Sequence, residues 1–590
     1  MMDEINSETI SRSRLIGIVF SIVGLLIIGQ LIHLQVFPYR EDVLSGAEIG
    51  KGEWRTIIPP RGEIFDRWGY LLAGNCQVFE VGIDITLVKS PEIIASTLNL
   101  VLGLDYSAVL SIAELKKEES DLINHVVARN VLPETAERLR GLVKELEENR
   151  LIEGPEAPSL EGLTLIPKLV RCYPEGSLFS PGLGFVVGDK DGTFGIEEYY
   201  DDFLSNPAQR VWLPSLPYQV EQWPESSSAS GLILTIDRDL QAEVESILDI
   251  AVQENGAESG AILVLDPRNG EVLAMASTPR LNLKTYWEYE EIFPKDATFN
   301  RPISAVYEPG SVFKVLTMAA ALDSGTVTPE TTFFDNGWIE IGGAVITNWN
   351  NDAWGLQTML GCMQHSLNVC LTHVAKLMGP DVFYSYLKKF GIGQRTGVDL
   401  AMEASGKLRL PNQEGWYLVD LGTNSFGQGV AVTPLQLAVA ISAVANGGNM
   451  MAPHVVRAIV DQGIQYTTPM LVLGQPISAE TARTLTDMLT RSLEEESSSA
   501  LVTGYQVAGK TGTAEIPTPT GYTSGVTNAS FVGWGPVDAP RFLVYIWLEK
   551  PTSSPWGSVV AAPVFRQVVE RLVVHLELPP DDIRAQLTGQ

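Results

Sequence analysis

Apolar and polar positions follow three regimes along the 590 residues. From Leu15 to Phe37 the chain reads LIGIVFSIVGLLIIGQLIHLQVF, without a charged side chain. As a helix, a run of this length crosses roughly 30 Å of hydrocarbon. It exceeds the apolar core of a cleaved leader and no small-x-small site follows it, so it predicts a retained transmembrane anchor. Residues 38–225 are mixed and rather polar, with one helical face formed by Leu139, Leu142, Val143 and Leu146. From Leu232 the pattern becomes regular. A strand over 232–236 leads to Asp237 as N-cap of a helix whose apolar face is Leu240, Val244, Ile247, Leu248 and Ala251. AILVLDPRNGEVLAMAS then predicts a hairpin around Asp266–Gly270, residues 541–550 a buried strand, and 560–576 a closing helix. Sequential strands with helices at both ends predict an α/β (α+β) sandwich, an antiparallel sheet flanked by helices.

The expected organisation is a cytoplasmic tail (1–14), the anchor (15–37), a pedestal (38–225), a polar linker (226–231), a catalytic domain (232–578) and a tail (579–590). Arg12 and Arg14 weigh mildly for a cytoplasmic N-terminus. With 45% hydrophobic and 19% charged residues the composition is globular. A net charge of −30 argues against a nucleic-acid-binding surface. The four cysteines, Cys76, Cys172, Cys362 and Cys370, are too few for a disulfide framework. Cys362, His365, Cys370 and His373 have the look of a metal cluster. A single helix through them would set Cys362 and His373 about 16 Å apart along its axis, too far for one ion. No metal is therefore expected, and whether Cys362 pairs with Cys370 stays open.

The candidate chemistry begins with two S-x-x-K matches, Ser311/Lys314 and Ser385/Lys388. Ser385 lies in DVFYSYLKKFGIG, where Val382, Tyr386, Leu387 and Phe390 form a helical stripe, and it reads as an ordinary mid-helix residue. Ser311 follows Glu308-Pro309-Gly310 and opens the apolar run VFKVLTMAAAL. That context puts its hydroxyl in a first helical turn, where unpaired N–H groups favour a developing oxyanion. Lys314 shares its face, and a lysine accepts the serine proton only when neutral, which needs burial or a neighbouring cation. Ser366-Leu367-Asn368 is the single S-x-N of the chain, and Lys510-Thr511-Gly512 the single K-T-G. The three motifs in this order mark penicillin-interacting serine enzymes.

The resemblance extends further. RGEIFDRWGYLLA (61–73), FGIEEYYDDFL (194–204), EPGSVFK, FGQGVAVTPLQ (426–436) and AGKTGTAEIP (508–517) make the chain similar to class B, monofunctional penicillin-binding proteins of high molecular mass. Two departures stand out: Trp68 where asparagine is usual, and Leu367 where serine is frequent, the latter expected to alter local polarity.

The resemblance implies a membrane-anchored peptidoglycan D,D-transpeptidase whose catalytic domain is extracytoplasmic. Ser311 would attack a stem peptide ending in D-Ala-D-Ala, with Lys314 as base held by Asn368. Ser366 would relay a proton to the leaving D-Ala beside Lys510, and Thr511, Gly512 and Thr513 would bind the substrate, its carboxylate falling to the two threonines. The N–H groups of Ser311 and Thr513 would form an oxyanion hole, worth ~3–4 kcal/mol per donor. No cofactor is implied. β-Lactams would acylate the same serine, and a polytopic glycan polymerase of the shape–elongation–division–sporulation type would be a partner. Two competing readings are a D,D-carboxypeptidase or β-lactamase-type hydrolase and an anchored β-lactam sensor or scaffold; a bifunctional glycosyltransferase lacks a domain of sufficient size before the linker.

Overall fold

The computed structural model describes residues 18–30, 52–57, 59–154, 157–188, 191–206, 209–214, 229–294, 297–518 and 521–588. Of the expected span, residues 18–30 are helical and the remainder lies outside the described residues, as do the tail 1–14 and Ser226–Ser228 of the linker. Among the described residues no helix is long and apolar enough to cross a membrane.

Two compact units form. The first is built on Gln77–Leu169. Its 21-residue helix Pro133–Glu153 starts on a proline, which needs no N–H partner there. It buries Leu139, with Leu142, Val143 and Leu146 half-buried against the same cluster, which includes Ile94 and Leu98. The expected amphipathic face is the face that packs.

The second unit takes Ser227–Gln590 together with Pro60–Cys76 and Val170–Asn206. Its centre is a five-stranded antiparallel sheet of β1 (Ser259–Leu265), β2 (Val272–Thr278), β3 (Ala508–Thr518), β4 (Gly521–Gly535) and β5 (Phe542–Glu549), in the order β2-β1-β5-β4-β3. Its helices include α1 (Arg238–Asn255), α2 (Lys314–Asp323), α3 (Met359–Gln364), α4 (Asn368–Lys389), α5 (Pro434–Ala445), α6 (Ala479–Glu495), α7 (Gly557–Val560) and α8 (Ala562–His575). Alternate residues of β1 enter different cores. Ile262 and Val264 pack with Leu240, Val244 and Phe565 of α1 and α8, whereas Leu263 and Leu265 join Leu316, Leu371 and Leu437. Because helices cover both faces, β1, β2 and β5 read as nearly unbroken apolar runs rather than as alternation. β3 lies at the sheet edge, opposite the hairpin β1–β2.

Two resemblance segments meet inside this unit. Glu197 of FGIEEYYDDFL is fully buried and accepts from Arg61 Nε of RGEIFDRW and from Arg171 Nε, each at 2.7 Å. Trp68 has a structural reason: its indole N–H donates to Asp237 Oδ2 at 2.8 Å, while Asp237 Oδ1 caps α1 through Leu240 N–H. The expected C-terminal tail contains a short helix, Asp581–Thr588.

Two expectations change, and the pairing left open is decided. The stretch around Cys362 is two helices, α3 and α4, parted at His365–Leu367, where Ser366 adopts φ 53°. Because the chain turns there, Cys362 and Cys370 come within 6.1 Å (Cα–Cα) and are disulfide-bonded, so neither thiolate can ligate a metal. In the second half of α4, beyond a kink at Gly379-Pro380, Phe383 is fully buried and Val382 is exposed, so the stripe is Phe383, Tyr386, Leu387 and Phe390.

Cys76 pairs with Cys172, leaving no free cysteine. Thiol titration of the denatured, unreduced protein is expected to find none of the four cysteines reactive, and two thiols after denaturation would remove one of the bridges.

Candidate active site

Ser311 sits in a single 3₁₀ turn, Gly310–Phe313, that runs directly into α2 at Lys314. Gly310 is needed twice over: its φ is +60°, and a Cβ there would lie 2.7 Å from the backbone oxygen of Thr513. The turn therefore rests against β3. Val312 packs on Gly512 of K-T-G, where any Cβ would meet its methyl at 2.4 Å. The FGQG segment braces the other side, with Gly310 N–H donating to Gly427 O at 3.0 Å and Thr317 Oγ1 to Ser425 O at 2.7 Å.

Lys314 is completely buried. Its Nζ lies 2.7 Å from Ser366 O, 2.7 Å from Asn368 Oδ1 and 3.2 Å from Ser366 Oγ. Asn368 is oriented because its Nδ2 donates to Thr347 O at 3.2 Å, leaving Oδ1 toward the amine. Nζ faces two carbonyl-type acceptors and the Ser366 hydroxyl oxygen, and all three partners are uncharged, so none of them offsets a charge on the buried amine. Ser366 and Asn368 are carried on the loop that the Cys362–Cys370 bridge spans. Leu367 between them is fully buried in the core. The leucine is thus a core side chain between the two polar ones.

Burial, and after it the charge of Lys510, hold the Lys314 amine well below the ordinary lysine range. Lys510 is itself nearly buried, and that burial brings it down to about 8, partly opposed by Glu496. Its Nζ lies 3.4 Å from both O and Oγ1 of Thr511. Thr513 Oγ1 accepts from Gly557 N–H at the start of α7, at 3.1 Å.

The structure thus brings Lys314 to Ser366 and Asn368, and sets the Ser311 turn against Lys510-Thr511-Gly512-Thr513. It leaves Ser385 and Lys388 on the exposed face of α4 beyond its kink. Sequence reading missed Glu496 and assigned His365 no part. His365 Nδ1 lies 3.7 Å from Glu496 Oε1, and its ring stacks on Trp354 at 4.3 Å. Glu496 ends a run of three glutamates with no distinguishing spacing, so only the packing of α6 against β3 singles it out. Among the described residues no group of His, Cys, Asp and Glu is arranged to hold a metal.

Comparison with known proteins agrees with this arrangement. Residues 260–570 match the family model of the penicillin-binding protein transpeptidase domain, and residues 56–207 that of the penicillin-binding protein dimerisation domain. The chain belongs to the class B penicillin-binding proteins and is a serine-type transpeptidase of that family. Its relatives include stage V sporulation protein D of Bacillus subtilis, 30% identical across 98% of this chain and 88% of that protein. Another is peptidoglycan D,D-transpeptidase FtsI of Escherichia coli, 28% identical across 94% of this chain and 90% of that one. Among solved structures, penicillin-binding protein 3 of Mycobacterium tuberculosis complexed with aztreonam superposes with a TM-score of 0.67. It is 25% identical, over 89% of this chain and 98% of that one.

The close approach at Gly310 yields a test. Gly310→Ala is expected to slow labelling by a fluorescent penicillin at least about tenfold, by displacing the serine turn from β3. Gly463→Ala, at φ +80° with nothing within 4 Å, carries backbone strain alone and is expected to label as the parent does. Equal labelling of both variants would show that the approach does not matter.

Proposed function

We propose that the protein is a membrane-anchored peptidoglycan D,D-transpeptidase that cross-links stem peptides through an acyl-enzyme on Ser311. The observation that carries the reading is the fully buried Lys314 amine, held to Ser366 and Asn368 by uncharged partners alone.

In this mechanism Lys314 takes the Ser311 proton as Oγ attacks the carbonyl of the penultimate D-Ala. The oxyanion is met by the N–H groups of Ser311 and of Thr513 on the edge strand β3. Lys510 supplies fixed positive charge for the substrate's terminal carboxylate, which Thr511 and Thr513 bind. The proton held on Lys314 returns through Ser366 Oγ to the departing D-Ala nitrogen as the C–N bond breaks. An amine of a second stem then attacks the ester carbonyl, Lys314 takes its proton and passes it to Ser311 Oγ as the C–Oγ bond breaks, which frees Ser311 and leaves the amide cross-link. β-Lactams would enter the same first step, in line with the aztreonam complex of the M. tuberculosis relative.

The anchor at Leu15–Phe37 and two disulfides support an extracytoplasmic catalytic domain, since bridges persist in oxidising compartments. A polytopic glycan polymerase would be the partner by family resemblance.

Fluorescent-penicillin labelling is expected to vanish in Ser311→Ala and persist in Ser385→Ala; labelling of Ser311→Ala would overturn the assignment. With lipid-linked substrate, cross-linked dimers are expected, whereas free D-Ala without dimers would make the enzyme a carboxypeptidase. The acylation rate should follow a bell in pH. It falls on the acid side as Lys314 gains a proton, and on the alkaline side, near pH 8, as Lys510 loses one. A rate that is flat from pH 6 to 10 would exclude this division of labour.

A further inference from the structure

A substrate of the proposed reaction touches two walls at once, the S-x-N loop beside Lys314 and the K-T-G strand β3. The spacing of those walls is therefore part of the chemistry, because a misplacement of about 1 Å costs on the order of a hundredfold in rate. Two tryptophans, one fastened to each wall, are in contact.

Trp349 belongs to the first wall. There, three consecutive residues grip the S-x-N segment on both sides of Ser366. Thr347 O accepts from Asn368 Nδ2, Asn348 Oδ1 accepts from Val369 N–H, and Trp349 Nε1 donates to His365 O, each at 3.2 Å. Asn348 is itself held, donating to Asp335 Oδ2 at 2.6 Å and to Asp352 O at 3.1 Å. Trp556 belongs to the second wall, at the turn that opens α7. Pro555 O accepts from Thr527 Oγ1 of β4 at 2.8 Å, and Gly557 N–H donates to Thr513 Oγ1 of β3 at 3.1 Å. Gly557 is pressed so close to the K-T-G strand that a Cβ there would collide with Gly512 O. The two indoles meet edge to face, with centroids 5.2 Å apart and planes at 73°.

We propose that Trp349 and Trp556 are positioning residues of this transpeptidase: an aromatic clasp that fixes the spacing of the S-x-N and K-T-G walls. The inference rests on the functional reading above, in which Ser311 is acylated. Neither ring belongs to the core. Trp349 is 50% exposed and Trp556 39%, whereas Trp534 and Trp547 of the sheet are buried. An edge-to-face pair is attractive beyond the area it buries, and the attraction is directional. It therefore resists both the parting of the walls and the sliding of one past the other. The backbone on each side is already held by hydrogen bonds, so the ring contact transmits the position of one wall to the other rather than being absorbed by a loop.

The test is a double-mutant cycle on the second-order rate constant for acylation of the full-length protein by a fluorescent penicillin, a quantity that does not depend on how much of the sample is folded. Trp349→Leu and Trp556→Leu are each expected to lose about twofold to tenfold. The double variant should fall well short of the product of the two losses, because the second substitution finds the contact already gone. Trp556→Phe keeps a ring against Trp349 and is expected to recover most of the parent rate. Single losses that multiply in the double variant would mean that each ring acts alone, and single variants that acylate at the parent rate would mean that the contact is idle; either result overturns the proposal, as does a Trp556→Phe no faster than Trp556→Leu. A parent that is not acylated at all fails one step earlier, removing the functional reading and the clasp with it.

Discussion

A buried amine with nowhere to put a charge is the constraint on which the site depends. Lys314 has no exposed surface, and its three neighbours are a carbonyl, an amide oxygen and a hydroxyl. A charged lysine in such a place is costly, and burial therefore holds the amine well below the ordinary lysine range. Everything that holds those three acceptors becomes part of the catalyst. Asn368 is aimed by Thr347, and Val369 N–H is held by Asn348 Oδ1 at 3.2 Å. Asn348 in turn donates to the buried Asp335 at 2.6 Å. The disulfide closes the loop from which Ser366 projects. A loop that must place a backbone oxygen and a hydroxyl on one amine needs this degree of restraint.

The sheet supplies the second half of the site by its edge. β3 lies outermost, so one side of the K-T-G strand is free to receive substrate and the serine turn rather than another strand. The two glycines at the contact, Gly310 and Gly512, are where the backbones come too close for a side chain. A motif glycine with no chemistry of its own is thus as much a requirement as the serine and the lysine it brings together.

Much of this was legible beforehand. Ser311, Lys314, Ser366, Asn368 and Lys510 could be picked out because each stands in a fixed local spacing, and spacing is what a sequence records. The α1 face from Leu240 to Ala251 and the Asp266–Gly270 hairpin followed from periodicity and turn chemistry. What escaped depends on contacts between distant segments. The break at His365–Leu367 was hidden because a helical apolar pattern continues through it, and the positive φ of Ser366 leaves no compositional mark. Trp68 looked like an oddity until its indole met Asp237. Pro60–Cys76 and Val170–Asn206 pack with residues far along the chain, which no local pattern announces. Of the two causes that a lowered Lys314 requires, burial or a neighbouring cation, both act: burial is the larger and the charge of Lys510 the second.

The protonation state of Lys314 can be read directly. With 13C at lysine Cε, its resonance is identified by its loss in Lys314→Met and followed with pH in the otherwise unaltered protein. The account predicts an amine already neutral at the pH of optimal acylation, titrating well below the ~10.4 of an ordinary lysine. A Lys314 signal that stays in the ammonium position up to about pH 10 would contradict it, and with it the assignment of this residue as the base.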